Sequence, residues 1–437
     1  MPPAKALLRE IFRQTLSSID IPAVMARKLQ RNGSRLVLSS GDVDLDGVSR
    51  VVVIAIGKAA HAMASGFLPF APPLSSIRGI VAAPTKPAVP LSGFDYFVAG
   101  HPIPNDESVR AGMAILELLG GCDARTLAVF LLSGGGSALV DLPLAPALNL
   151  EDLQAVHRAL VTCGAPIEAM NTVRRHLSAV KGGRLALAAG AARKITLAVT
   201  DVPVGKEAAL ASGPSLPDPT TVADVQRIVA DYTLGEKFPE RLRLWIESGL
   251  MPETPKQDHP AFHNAHFALL LGMEDLFHAA HHAAEAHGYM AFCDNSTDDW
   301  PVEQAADNLL SQLDAWGREN RGQRVAVIAD GEVSSPVIGS GIGGRNSALV
   351  LSCVEKIAGR RMAVLSAGTD GIDGNSPAAG AVADGESLGR AKSLGLDPLQ
   401  AIAGSDAYTF FAALDDTLMT GPTGNNLRDL RILLSDP

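Results

Sequence analysis

Short runs that are apolar on both faces alternate with longer amphipathic segments, and this rhythm limits the folds open to the chain more than any other feature. The runs occupy residues 51–56, 80–83, 96–99, 127–132, 195–200, 289–293, 325–329 and 362–366, and most are rich in β-branched side chains. Strands of this kind belong to parallel sheets covered by helices on two sides. The segments between them, for example 106–119, 151–163 and 347–357, carry apolar residues at helical spacing. The pattern predicts an α/β protein. We expect a large N-terminal, doubly wound, mostly parallel Rossmann-like sheet and a smaller C-terminal α/β domain.

At 437 residues the chain is too long for one hydrophobic core. Between residues 231 and 260 no strand pattern is visible, and Pro239, Pro252, Pro255 and Pro260 punctuate the stretch. The junction is placed there, giving domains of 1–240 and 241–437. The segment that follows, 261–287, reads as one long Ala/His/Leu helix. Aromatic residues make up only 5%, so both cores must be built mainly from Ala, Val, Leu and Ile.

A formal net charge of −10 makes the chain a poor partner for nucleic acid or an anionic membrane. The longest uncharged apolar stretch, 126–140, is short and interrupted by glycines, so no bilayer span is expected. The first twenty residues mix Lys5, Arg9, Glu10 and Arg13 with apolar positions, unlike a signal peptide. Cys122, Cys163, Cys293 and Cys353 are scattered and match no zinc or disulfide framework. A soluble, cytoplasmic protein acting on a small molecule is expected, with a homodimer as the assembly considered.

Glycine-rich turns at strand ends are where such a sheet does chemistry, because helix N-termini there point amides at anions. Gly57 follows the first run and Lys58 opens the next helix, where its charge opposes the helix dipole and so needs another reason to be present. Ser133, Gly134, Gly135, Gly136 and Ser137 follow the run 127–132. Three consecutive glycines expose backbone N–H groups and form a phosphate cradle in outline, whereas a simple turn would need only one. Gly339, Gly341 and Gly344 spell G-x-G-x-x-G, but the next strand ends in Ser366 rather than an acidic residue, which disfavours a nicotinamide site. That loop is read instead as delivering Arg345 to an anion, through paired hydrogen bonds to carboxylate or phosphate.

Acidic residues gather at the same strand ends: Asp201, Asp330 with Glu332, and Asp370 with Asp373. Beside an anion cradle they fit magnesium held between carboxylates and polyphosphate. Asn105 or Asp106 reads as a helix cap after the loop that carries His101. His278, His281, His282 and His287 read as a surface stripe. The stretch from Asn171 to Arg184 is basic in an acidic chain and reads as an anion site.

Taken in order, these motifs resemble those of the class II glycerate kinases, which join a glycerate-kinase N-terminal domain to a smaller MOFRL-type C-terminal domain. The resemblance is carried by Ile56-Gly57-Lys58-Ala59, Gly100-His101-Pro102-Ile103-Pro104, Ser133 to Ala138, Asn171 to Gly183 and Thr200-Asp201-Val202-Pro203. It continues through Ser212-Gly213-Pro214, Gly343 to Asn346, Gly368 to Gly374 and Thr420 to Leu430. It implies phosphorylation of D-glycerate by ATP with Mg²⁺, at the 2-hydroxyl, in a cleft between two α/β domains. It places Lys58 and Arg345 as the catalytic pair. On this reading the 133–137 loop holds the ATP phosphates, Mg²⁺ bridges to one or two of Asp201, Asp330 and Asp370, and Asp201 accepts the substrate proton. Some relatives carry the name hydroxypyruvate reductase, so an NAD(P)H-dependent reductase and a non-catalytic anion-binding protein stand as alternatives.

Overall fold

The computed structural model describes residues 3–73, 76–200, 202, 205–425 and 427–437. The chain divides into two compact units, residues 21–271 and residues 272–437 together with the first twenty. The junction therefore falls about thirty residues beyond the one expected, and the N-terminal segment belongs to the C-terminal unit.

In the unit 21–271 six strands form one sheet: β1 Arg50–Ile56, β2 Ser76–Ala83, β3 Phe94–Val98, β4 Thr126–Leu132, β5 Arg193–Val199 and β6 Ala265–Leu271. Their spatial order is β3-β2-β1-β4-β5-β6, and every pairing is parallel. This is the doubly wound order, with a switch of direction between β1 and β4. All seven residues of β4 are buried, as are Val51 to Ile56 in β1, which explains their unbroken apolar sequence. The β6 strand was expected to be helix. Gly272 ends it and caps a separate helix, Met273–Ala286, and parallel pairing of Lys194 with Ala265 draws the run into the sheet. A second apolar cluster in this unit is built largely from helices and includes Val156 and Leu160 of the helix Leu150–Val161 and Val173 and Leu177 of the helix Ile167–Leu177.

The other unit has a mixed sheet: β7 Met290–Asp294, β8 Val325–Asp330, β9 Met362–Gly368, β10 Gly380–Asp384, β11 Thr417–Leu418 and β12 Asp429–Ser435. The order is β7-β8-β12-β9-β10-β11, and only β7 and β8 are parallel. The helix Ala4–Ser18 packs in this unit through Leu7, Leu8, Ile11 and Phe12. Polar ties hold it there: Lys5 Nζ lies 3.0 Å from Asp416 Oδ2, and Asn425 Nδ2 donates to the Ile19 carbonyl at 2.7 Å. Among the described residues no helix is long and apolar enough to cross a membrane.

Candidate functional site

The loops leaving β1 and β4 lie side by side at the switch point, because Ile56 and Leu132 are register partners. They are stitched together. Ser133 N donates to the Ile56 carbonyl at 2.9 Å, Lys58 N donates to the Gly134 carbonyl at 3.0 Å, and Ala59 N donates to Ser133 Oγ at 3.0 Å. Ser133 is fully buried and thus serves as a tie between loops. Gly57 has φ +127°, and any Cβ there would stand 2.2 Å from Ser133 Oγ. Gly135 is left-handed at φ +84°, and a Cβ there would stand 3.1 Å from the His101 ring and 3.7 Å from Lys58 Cγ. Among the described residues, the amides of Gly134, Gly135, Gly136 and Ser137 donate to no backbone carbonyl. Desolvation and the nearby Lys58 ammonium push the His101 pKa below its ordinary range.

A chain of polar contacts extends from this loop. Ser137 Oγ meets Ser212 Oγ at 2.8 Å, Ser212 Oγ donates to Asn171 Oδ1 at 3.2 Å, and Arg174 Nη1 donates to the same oxygen at 3.3 Å. Ala211 and Ser212 both have positive φ, at 50° and 59°. Two successive non-glycine residues in that region are strained by about 1–3 kcal/mol each and are characteristic of functional loops. The sequence marks Ser212 only as part of the Ser212-Gly213-Pro214 motif and gives it no site role, since its signal is backbone conformation and not residue type.

Most of the basic stretch is internal architecture. Arg175 pairs with buried Asp218 at 2.6 Å, and Arg184 donates to the Arg175 carbonyl at 2.8 Å. Gly182 and Gly183 donate to Ser212 and Gly213, supporting the strained segment. Lys181 lies 2.6 Å from Asp141, which also receives Ser178 Oγ at 2.6 Å and faces His157 Nε2 at 3.2 Å. All four are buried. Burial works against the Asp141 charge, but the Lys181 ammonium and the His157 contact outweigh it, so the carboxyl sits well below the usual range. Burial lowers the pKa of both Lys181 and His157. Of the stretch, Asn171 and Arg174 join the loop-side cluster.

In the other unit, Arg345 opens the helix Arg345–Val354. Its Nε donates to Asp429 Oδ2 and its Nη1 to Glu332 Oε2 at 2.7 Å. Burial disfavours its charge, yet the two carboxylates hold the guanidinium pKa above its ordinary value. Asp429, at the start of β12, is buried, and burial raises its pKa against the pull of Arg345. Asp373 caps the same helix, accepting from Asn346 N, Ser347 N and Ser347 Oγ at 2.6–2.9 Å.

The G-x-G-x-x-G loop is closed on itself. The amides of Gly339, Gly341, Gly343 and Gly344 donate to Ser405 Oγ, the Gly404 carbonyl, Asn375 Oδ1 and Ser347 Oγ. A Cβ at Gly339 or Gly341 would meet Gly404 or Asp406 within 2.5 Å. These glycines are therefore spent on packing rather than on a dinucleotide.

The three carboxylates assigned to metal fare differently. Asp201 lies outside the described residues. Asp330 is buried at the end of β8, with Arg428 Nη1 at 3.6 Å and Arg431 donating to its backbone carbonyl. Arg428 thus stands at ion-pair rather than hydrogen-bond distance, and the Arg431 contact is to the backbone and not to the carboxylate. Asp370 is half-buried and receives Ile372 N at 3.1 Å. Among the described residues no three His, Cys, Asp or Glu side chains converge as a metal cage. Magnesium does not require one, since it commonly takes one or two carboxylates together with substrate phosphates.

A doubly wound sheet whose switch-point loops leave four amides without a backbone carbonyl and set Lys58 beside them has the make-up of an α/β protein that handles anionic ligands. The comparisons narrow this further. The family described as a domain of unknown function, DUF4147, matches residues 7–247, and the MOFRL family matches residues 325–429. D-glycerate 2-kinase of Thermotoga maritima is 34% identical over 88% of this chain and 90% of its own. A relative from Agrobacterium vitis is 35% identical over 99% of this chain and 94% of its own, and carries hydroxypyruvate reductase as a provisional name. The crystal structure of glycerate kinase from Thermotoga maritima superposes with a TM-score of 0.83 at 31% identity, covering 98% of this chain and 99% of that one. The chain belongs to the glycerate kinase family that joins a DUF4147 domain to a MOFRL domain.

Proposed function

We propose that this protein transfers the γ-phosphoryl group of ATP to the 2-hydroxyl of D-glycerate, releasing ADP and 2-phosphoglycerate. The observation that carries the reading is the paired switch-point loop, where Lys58 and four unclaimed amides surround left-handed Gly135 in a chain of the glycerate kinase family. Phosphoryl transfer asks little covalent work of a protein and depends on positioning and charge neutralisation. The 133–137 loop holds the triphosphate through backbone N–H groups. Lys58 neutralises charge that builds on the transferring group. In the other unit, Arg345, held by Asp429 and Glu332 through Nε and Nη1, is the guanidinium assigned to an anionic ligand oxygen.

The substrate hydroxyl oxygen forms the new bond to phosphorus, the bond to the bridging β–γ oxygen breaks, and the hydroxyl proton passes to a carboxylate, assigned to Asp201. Magnesium supplies neutralisation of phosphate charge when bound, and of the carboxylates assigned to it Asp330 and Asp370 lie among the described residues.

The test is a paired assay. ADP release that depends on D-glycerate, with no oxidation of NADH or NADPH by hydroxypyruvate, supports the kinase. Nicotinamide oxidation without ATP overturns it. Glycerate binding with neither turnover supports a non-catalytic protein.

A further inference from the structure

The geometry points to a nucleoside site in the unit 21–271: a cavity of about 600 Å³ beside the switch-point loop that takes the base and ribose of the phosphoryl donor. The inference rests on the kinase reading above. The cavity falls within the roughly 300–1,000 Å³ of small-molecule sites. Pro102, Ile103, Ala155, Arg158, Thr162 and Lys237 line it.

Its position relative to the loop is what gives it meaning. The His101 ring lies against Gly135, and the next residue along, Pro102, already forms the cavity wall. One residue spans under about 4 Å of chain. Gln154 Nε2 donates to the Pro104 carbonyl at 2.9 Å, which fastens the helix Leu150–Val161 to that same segment. His157 closes the inner side and faces Asp141, two residues beyond the short helix Gly136–Leu139 that the loop opens. The cavity and the phosphate loop thus share a wall.

The lining suits a flat, weakly polar group attached to an anion. It is mostly apolar, with Ile103 and Val161 exposed although they are large aliphatic residues. Among the described residues, Arg158 and Lys237 have no carboxylate partner. An arginine of this kind can stack its plane on a base, and both cations attract the triphosphate end. A free phosphate or a sugar acid would use the cations but gain nothing from the apolar floor.

The experiment fills the cavity without touching the loop. Ala155→Phe and, separately, Thr162→Trp are assayed for KM of ATP, KM of D-glycerate and inhibition by inorganic tripolyphosphate, beside a thermal melt. The expected result is a rise in KM for ATP of at least about tenfold. KM for D-glycerate and the inhibition constant of tripolyphosphate stay within about twofold, because the polyphosphate needs only the loop. Two cooperatively melting variants with unchanged KM for ATP overturn the nucleoside site and leave the kinase intact. Equal weakening of ATP and tripolyphosphate also overturns it, since the effect then lies in the loop. A wild type that does not consume ATP overturns the kinase reading and the nucleoside site together.

Discussion

Gly57 and Ser133 approach so closely that no side chain can be interposed: a Cβ on Gly57 would lie 2.2 Å from Ser133 Oγ and 2.5 Å from its carbonyl oxygen. This contact locks the loop after β1 to the loop after β4. It sets Lys58 over the glycines, since the Lys58 amide donates to Gly134.

Gly57→Ala combines a positive φ that alanine resists with a backbone clash. A cost of about 2–4 kcal/mol is expected from strain and overpacking together. Chemical denaturation should show a lower midpoint with an unchanged slope, and activity should fall with it. A variant as stable as wild type would show that the two loops part easily.

Lys58→Ala leaves these backbone ties in place. The protein should still melt cooperatively and kcat should drop by about 10²–10³, the scale of removing one group that stabilises transition-state charge. Near-normal kcat would return Lys58 to the role of a solvated helix residue.

Gly135→Val introduces a branched side chain at φ +84°, where even a Cβ would stand 3.1 Å from the His101 ring. ATP affinity, measured by calorimetric titration with Mg²⁺, should fall by more than about tenfold while the protein still melts cooperatively. Normal ATP binding by the folded variant would remove the loop as a phosphate holder.

Arg345→Lys keeps a charge but cannot hold two carboxylates and still present a planar face. Charge-assisted hydrogen bonds contribute roughly 1.5–3 kcal/mol each, so kcat/KM should fall at least about tenfold. Free substitution by lysine would mean that the site asks only for a point charge.

Asp141 links pH to stability. Its folded pKa lies below the unfolded value near 3.9, so the unfolded chain binds the proton more readily. The stabilisation is therefore present above about pH 4 and is lost as pH falls through the folded pKa. Asp141→Asn should cost about 3–5 kcal/mol at pH 7 by leaving Lys181 buried without its partner. Its denaturation midpoint should then fall less steeply than that of wild type between about pH 5 and 3. Parallel midpoints would show that Asp141 is not the group that titrates.

Sequence by itself determined the architecture of the first unit, because β-branched runs apolar on both faces have few homes other than a covered parallel sheet. It also located the loops at 57–58 and 133–137, since consecutive glycines at strand ends leave a local signature. It could not separate 261–287 into the β6 strand and the helix Met273–Ala286, because an apolar run reads alike in either state until a neighbouring strand offers hydrogen bonds. The destination of Arg345 was beyond it as well: Asp429 is 84 residues away, and only the fold brings that carboxylate to the guanidinium. The same holds for Asp330, whose cationic neighbours Arg428 and Arg431 sit on a segment about a hundred residues away and are brought to it only by the fold. Ser212 shows the limit most plainly. Its left-handed backbone and its bonds to Ser137 and Asn171 arise from packing between segments, and no local spacing encodes them.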